Sequence, residues 1–240
     1  MFPLRSTVTL PAVVVGLATF LVVLIPGTGL PVAVVAGVIV ASTFARVVSG
    51  RAVGVVRRSL NARPALVGEF PRLHNTVGGL CLTHGIDIPE LFVIDSSAGN
   101  AAAMAGREGT SIVLTTGAAD RLGLVELEAL VAHLLVRCGD DGLRADTTKA
   151  SMGRLAGPRL VATANTGPDR LMQVDFDGAD LTRFPPGMQT ALQALAELGT
   201  EVDAPRATSG LWLLQPDGRT DVGTASHPTV EVRVAALGEC

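Results

Sequence analysis

Two long apolar stretches near the N-terminus place the strongest limit on how this chain can fold. Residues 7–25 carry no charge, and residues 32–48 are interrupted only by Arg46. Each stretch is close to the roughly 20 residues that an α-helix needs to cross a bilayer. Pro26-Gly27-Thr28-Gly29-Leu30-Pro31 between them is typical of a turn. We therefore predict a transmembrane helical hairpin over residues 1–50, followed by a second domain over residues 51–240.

Small residues and the distribution of charge add detail to this hairpin. Small residues in both stretches allow two helices to pack closely within a bilayer: Gly16, Ala18, Ala33, Ala36, Gly37 and Ala41. Arginines follow the second stretch, whereas the turn carries no charge, so the positive-inside rule places both ends of the hairpin in the cytoplasm. The alternative is a cleaved signal peptide, with Arg5 as its basic region.

Composition excludes several classes of partner. The net charge is −3, with acidic and basic residues interspersed, so we expect no nucleic-acid partner. Eighteen of the 19 basic residues are arginine, a preference that fits a GC-rich genome such as an actinobacterial one. Cys81, Cys138 and Cys240 form neither a metal-binding spacing nor an even disulfide set, which indicates a reducing compartment.

One apolar helix resembles the zinc-binding helix of a peptidase from which the working residues are missing. Such a helix carries His-Glu-x-x-His, in which the two histidines lie on one face and bind zinc while the glutamate polarises a water molecule. Here Ala132-His133-Leu134-Leu135-Val136-Arg137 retains the first histidine. Leu134 stands where the glutamate belongs, and Arg137 stands where the second histidine belongs.

The sequence on both sides extends this likeness. Before the helix stand a helical segment over residues 73–85, a strand at Leu91-Phe92-Val93-Ile94, the segment Asn100-Ala101-Ala102-Ala103, and a strand at Ser111-Ile112-Val113-Leu114-Thr115-Thr116. After it come Arg170-Leu171-Met172-Gln173-Val174-Asp175, Leu181-Thr182-Arg183-Phe184-Pro185-Pro186-Gly187-Met188, and Ser226-His227-Pro228 with Arg233. From about Leu66 onward the chain resembles the HtpX-like and CAAX-prenyl-endopeptidase family of membrane zinc metallopeptidases.

The resemblance implies a fold and a site. It implies a mainly helical α+β domain of the zincin-like metallopeptidase type, with a small β-sheet before the site helix, attached to a bacterial plasma membrane and facing the cytoplasm. Family members use zinc, and their third ligand is a glutamate. Aligned on residues 181–188, Leu171 occupies that position, whereas an alignment on Ala179-Asp180 places Phe176 there. Neither side chain can bind zinc, so we expect no metal cofactor, and His133, Leu134, Arg137 and Leu171 are the vestigial site positions.

A rebuilt metal site would need other ligands in place of the missing histidine and glutamate. Cys138, Asp140, Asp141, Asp175 and His227 are the candidates for a rebuilt metal site. For Arg137 two hypotheses stay open: pairing with a carboxylate such as Asp175 or Asp141, or a side chain that reaches solvent. Family members bind substrate by adding it to a strand near the site, which makes Asn100, Ala101, Ser111 and Val113 candidates for peptide binding.

These observations favour a binding protein over an enzyme. We predict a pseudopeptidase, inserted in the lipid bilayer, that binds peptide segments or a membrane-protein partner. The second hypothesis is an active zinc endopeptidase of membrane-protein quality control, which requires a rebuilt metal site. A third is a decaying gene product with no retained role. The sequence does not determine the oligomeric state.

Overall fold

The computed structural model describes residues 3–25, 29–107, 109–156, 167–224 and 227–239. Cys240, Ser226 and most of the predicted turn after Ile25 lie outside the described residues. The described chain is mainly helical with one small mixed sheet, as the α+β class predicts.

The N-terminal part forms two long helices that pack against each other. Helix α1 spans Pro3–Leu24, and helix α2 spans Leu30–Ser59, so α2 continues past residue 50 into the second domain. A Cβ atom added to Gly37 would lie only 2.8 Å from the carbonyl oxygen of Gly16. The two backbones therefore approach closely at these glycines, as the small residues predict.

Helix α2 combines the length and the apolar character of a membrane span. It contains an 18-residue window of mean hydropathy 2.0, in which 11% of the residues are buried. A core helix of a soluble protein would be mostly buried. Helix α1 is also apolar over Pro11–Leu24.

A four-stranded sheet follows helix α3, Pro71–His84. Its strands are β1 at Arg63–Pro64, β2 at Glu90–Ile94, β3 at Ala101–Ala105 and β4 at Thr110–Thr115. They lie in the order β1-β2-β4-β3; β2 and β4 are parallel, and the other two pairs are antiparallel. Gly85 ends α3 with a φ of 64°, a left-handed conformation that favours glycine.

Helix α5, at Leu124–Cys138, is largely buried and follows the short α4, Thr116–Arg121. After α5 come α6 at Asp141–Ala156, α7 at Pro168–Thr182, α8 at Pro185–Glu197, a 3₁₀ helix at Arg206–Leu211, and α9 at Val230–Leu237. Helices α7 and α8 pack on α5, whereas α6 packs on α1, α2 and β3.

The predicted elements agree with this arrangement. Both predicted strands are present, and the Asn100–Ala103 segment leads into the additional strand β3. The C-terminal helix α9 begins at Val230, where the Thr229 hydroxyl caps it by accepting a hydrogen bond from the backbone N–H of Val232.

Candidate functional site

The three vestigial positions on α5 are buried inside the protein. His133, Leu134 and Arg137 each expose 3% or less of their surface. Helix α5 buries both its apolar residues and these two polar ones because other helices and the sheet pack around it. The hypothesis that Arg137 reaches solvent is therefore wrong.

His133 belongs to a buried polar network that joins three helices. Its Nδ1 atom lies 2.9 Å from Oδ1 of Asp175 on α7. The ring N–H is poorly aligned with that oxygen, so this is a close polar contact and not a well-formed hydrogen bond. Arg233 on α9 donates two hydrogen bonds of 2.7 Å to the same carboxylate.

The network also reaches the chain that precedes α9. Arg233 donates a further hydrogen bond of 2.8 Å to the carbonyl oxygen of Leu213. Close to it, Nε2 of His227 lies 2.9 Å from the carbonyl oxygen of Trp212. The bidentate geometry and the backbone contact satisfy most of the Arg233 guanidinium in a fully buried position.

Burial and charge set the protonation of this network. Burial lowers the pKa of His133 despite the neighbouring Asp175, so its ring is neutral at pH 7. Burial alone would raise the pKa of Asp175, but Arg233 more than offsets that effect and holds the carboxyl below its ordinary value. The result is one buried ion pair, Asp175–Arg233, with a neutral imidazole beside it.

Helices α5 and α7 approach closely at this network. A Cβ atom added to Gly178 on α7 would lie 2.9 Å from the Cα atom of His133. The absence of a side chain at Gly178 thus allows Asp175, about one helical turn earlier, to reach the imidazole.

Arg137 has carboxylate partners, but they differ from the predicted ones. It donates a hydrogen bond of 2.8 Å to Asp140 Oδ2 and lies 3.8 Å from Asp146 Oδ2 on α6. It also donates a 3.0 Å hydrogen bond to the carbonyl oxygen of Gly210. Pairing with a carboxylate is thus present, whereas the named partners were wrong: Arg233 holds Asp175, and Asp141 is exposed.

This arrangement fixes a cation at the position where the resemblance implies the second zinc ligand. Burial lowers the pKa of Arg137, while Asp140 and Asp146 act in the opposite direction. A guanidinium begins from a pKa so high that it stays charged at neutral pH. Arg137 thereby connects α5, α6 and the 3₁₀ helix through charge and hydrogen bonds.

The two candidate positions for the third ligand have different surroundings. Leu171 is buried and lies four residues before Asp175, on the same face of α7 as Asp175 and Gly178. Phe176 is only half-buried and is rotated by about 100° from Asp175. The face of α7 that packs on α5 therefore contains Leu171, which favours the alignment on residues 181–188.

The side chains at the vestigial positions do not fit a catalytic zinc ion, which needs about three protein ligands. Leu134 and Leu171 have no donor atom, and Arg137 is a cation without a free lone pair. Among the described residues, no three His, Cys, Asp or Glu side chains are grouped as a metal site requires. Of the four vestigial positions, His133 is the one whose side chain can bind a metal ion.

Four of the candidates for a rebuilt metal site have other partners or hold their proton. Asp175 and Asp140 are bound by arginines, and the His227 ring contacts a backbone carbonyl. Burial raises the pKa of the Cys138 thiol to about 12, so it is neither a thiolate ligand nor a nucleophile at neutral pH.

All four candidates for peptide binding are buried. Ser111 and Val113 lie on β4, which is paired along both edges, so strand addition at β4 is incompatible with this sheet. The outer edge of β3 contacts the chain itself: Ala102 pairs with Trp212, and the N–H of Leu213 donates to Ala101. Asn100 donates to the carbonyls of Thr200 and Leu214. Peptide docking at Asn100 and Ala101 stays a prediction that requires displacement of residues 211–214.

Sequence reasoning did not identify the role of Arg233 or its pairing with Asp175. The signal was present, because both residues stand in the downstream segments that carry the family resemblance. Their separation of 58 residues gives no indication that they touch.

Comparison with known proteins identifies a consistent set of relatives. A protein named "Protease HtpX homolog" from Dictyoglomus thermophilum is 27% identical over 210 residues, which covers 70% of this chain and 69% of the relative. A protein of the same name from Ligilactobacillus salivarius is 23% identical and covers 88% of this chain and 85% of the relative. A third, from Bacteroides fragilis, is 32% identical over 91 residues, 38% of this chain and 28% of the relative. No family model and no solved structure matches the chain.

Proposed function

We propose that the chain is a membrane-anchored pseudopeptidase: a non-catalytic member of the HtpX-like family that acts by binding. The similarity to proteins named "Protease HtpX homolog" over most of the chain supports the HtpX-like family, a family of membrane proteases. The resemblance of the segments around α5 to that family agrees with this assignment. Loss of catalysis is our inference from the side chains at the site.

The observation that carries this proposal is the environment of Arg137. The guanidinium is buried and held by Asp140, Asp146 and the backbone of Gly210, at the place where a zinc peptidase needs a neutral imidazole. A cation fixed there repels a metal ion electrostatically as well as failing to bind it. Leu134 removes the general base as well.

The polar residues kept from the family motifs support the same conclusion. His133, Asp175 and Arg233 form a network that stabilises packing among α5, α7 and α9 without any metal. Such a network explains how the fold persists although the chemistry is gone. A zincin-like fold, as the resemblance implies, is part of this proposal.

We infer that binding takes place at the bilayer, because the chain is anchored there. Helix α2 is long and apolar enough to cross it, and Val35, Val38 and Ile39 are among its exposed apolar side chains. Arg46, Arg51, Arg57 and Arg58 lie toward its end, which favours a cytoplasmic location for the second domain. Because residues 211–214 cover the outer edge of β3, we favour a membrane-protein partner over a peptide added to the sheet.

The test is the zinc content of the detergent-purified full chain, measured together with cleavage of casein with and without added zinc. The Dictyoglomus thermophilum relative, purified identically, is the positive control. We expect this chain to contain no stoichiometric zinc and to leave casein intact. One zinc per chain with cleavage would instead support the alternative, an active endopeptidase of membrane-protein quality control with a rebuilt site.

A further inference from the structure

A cleft of about 940 Å³ opens beside α2 where its apolar stretch ends. The C-terminal part of α2 lines it together with the loop before β2, the residues around the β3–β4 turn and the end of α5. Neither the vestigial positions nor the buried His133 network lines it. Two residues considered above, Ser111 and Cys138, do line it, so the cleft borders that region without including the vestigial positions.

The described lining of this cleft carries an excess of positive charge. Four arginines line it, Arg51, Arg57, Arg58 and Arg107, against the two carboxylates of Asp87 and Glu90. Arg57 stacks on the Phe92 ring, at 4.7 Å from its centroid, and lies 4.0 Å from Glu90. Glu108, next to Arg107, lies outside the described residues.

The other three arginines are available to a ligand. Arg51, Arg58 and Arg107 are exposed, and no carboxylate among the described residues forms an ion pair with them. Guanidinium groups bind phosphate oxygens through paired N–H donors. Three such groups facing one cleft suit a ligand that carries a phosphate.

The β3–β4 turn is held against α2, which keeps Arg107 at the cleft. A Cβ atom added to Gly106 would lie 2.7 Å from Cγ2 of Val53, so the turn contacts α2 directly. The N–H of Gly106 donates a hydrogen bond of 2.9 Å to the carbonyl oxygen of Gly109 and closes the turn.

The position of the cleft along α2 indicates where such a ligand would come from. The apolar stretch ends at Val48. At about 1.5 Å per residue, Arg51 lies roughly 5 Å beyond it and Arg58 roughly 15 Å. The headgroup layer of a bilayer begins at the hydrocarbon boundary and is about 5–8 Å deep on each side. Arg51 thus lies at the depth of the lipid phosphates, and the cleft extends away from them.

We propose that this cleft binds the phosphate-bearing headgroup of an anionic phospholipid. Arg51 binds the phosphate at headgroup depth, and Arg58 and Arg107 bind the polar part of the headgroup that extends into the cleft. Basic residues just outside a membrane helix attract anionic lipids, and a cleft adds a fixed geometry to that attraction. The inference rests on the membrane anchoring proposed above, but not on the loss of peptidase activity.

The test counts bound lipids on the full chain in detergent by native mass spectrometry during titration with phosphatidylglycerol or phosphatidylcholine. The cleft variant Arg51→Gln/Arg58→Gln is compared with Arg121→Gln/Arg206→Gln, which removes the same charge at exposed positions outside the cleft. We expect wild type to prefer phosphatidylglycerol, the cleft variant to lose roughly tenfold in affinity for it, and the control variant to keep it.

Two further experiments show whether the bound phosphate belongs to a lipid or to a soluble ligand, and whether the chain is anchored in a membrane at all. Titration with inorganic phosphate, followed by thermal unfolding, tests for a soluble ligand; stabilisation that depends on Arg51 and Arg58 without a lipid preference would overturn the lipid assignment. Equal weakening in both double variants would also overturn it, because net charge alone would then account for binding. Flotation of the chain with phosphatidylcholine liposomes tests anchoring independently of the headgroup.

Discussion

At the scale of single residues, the buried network around His133 is centred on an ion pair. Asp175 and Arg233 are both almost fully buried, and each is the main charged partner of the other. A buried pair is not strongly stabilising in itself, but removal of one partner leaves an uncompensated charge inside the protein. This asymmetry makes both residues sensitive to substitution.

Replacement of Asp175 tests this network. Asp175→Asn keeps the size of the side chain but removes the charge that Arg233 requires, so we expect the free energy of unfolding to fall by about 3–5 kcal/mol. Thermal and urea unfolding in detergent measure the change. The matched control is Asp180→Asn, an exposed position on the same helix, where a change within about 0.5 kcal/mol is expected. A similar loss in both variants would contradict the proposed role of the network.

Arg137 is a second buried residue whose charge is balanced by neighbouring carboxylates. Arg137→Met keeps the packing volume but leaves Asp140 and Asp146 without their buried cation, so we expect a loss of about 3 kcal/mol. Arg170→Met is the control, because Arg170 contacts Asp140 at 3.3 Å from a half-exposed position and should contribute less than about 1 kcal/mol. An unchanged melting temperature for Arg137→Met would show that the guanidinium is not a structural link.

At the scale of elements, the packing of α5 on α7 depends on one face of α7, where a glycine allows the two helix backbones to approach closely. Gly178 lies against the backbone of α5, and Asp175 and Leu171 lie on the same face. Two helices approach this closely only where no Cβ atom intervenes. The position of α7 therefore decides which carboxylate His133 meets.

A methyl group at Gly178 should disturb this contact. Gly178→Ala would place Cβ 2.9 Å from the His133 Cα, and we expect a loss of about 1–3 kcal/mol from overpacking. Gly79→Ala on α3 is the matched control: its Cβ would meet open space, and alanine should stabilise that helix by about 0.5–1 kcal/mol. If both substitutions stabilise the protein, the close α5–α7 contact is wrong.

At the scale of the whole molecule, neutral buried histidines make folding depend on pH. Burial lowers the pKa of His227 from 6.5 to about 4, and burial also lowers that of His133. Above about pH 6.5 the rings are neutral in both the folded and the unfolded chain, so they give no pH dependence. Below it, the unfolded chain binds protons that the folded chain excludes, and stability falls.

We therefore expect the free energy of unfolding to decrease as the pH falls from about 6.5 to 4. His227 alone would account for roughly 3 kcal/mol, since one pKa unit corresponds to about 1.4 kcal/mol. Asp175 acts in a lower window: its lowered pKa stabilises the folded chain above about pH 4, and that contribution is lost as the pH falls further. Unfolding curves across this range measure the slope.

Substitution of His227 tests whether this residue causes the dependence of stability on pH. His227→Gln should flatten the dependence between pH 6.5 and 4, whereas His84→Gln, at an exposed position, should leave it unchanged. A slope that is equally steep in both variants would mean that His227 does not exclude protons in the folded chain.

Much of the architecture could be predicted from the sequence because it depends on local patterns. Apolar stretches of bilayer length predict α1 and α2, and apolar runs between turn residues predict β2 and β4. The lack of an atom that can bind a metal ion at Leu134, Arg137 and Leu171 follows from residue type alone. By contrast, β3 has the composition of a helix or a loop, since alanine has little preference for strands, and only its pairing with β4 reveals it.

The sequence by itself determined which side chains occupy the vestigial positions and where the apolar helices run, because side-chain type and hydropathy are properties of the chain. Only the tertiary structure decided which charges meet. Asp175 pairs with Arg233 across 58 residues, and Arg137 meets Asp146 from another helix. It also brought Arg107 to the end of α2, beside Arg51 and Arg58. These contacts depend on how helices pack, and packing arises from the fit of whole helix faces, which no local pattern specifies.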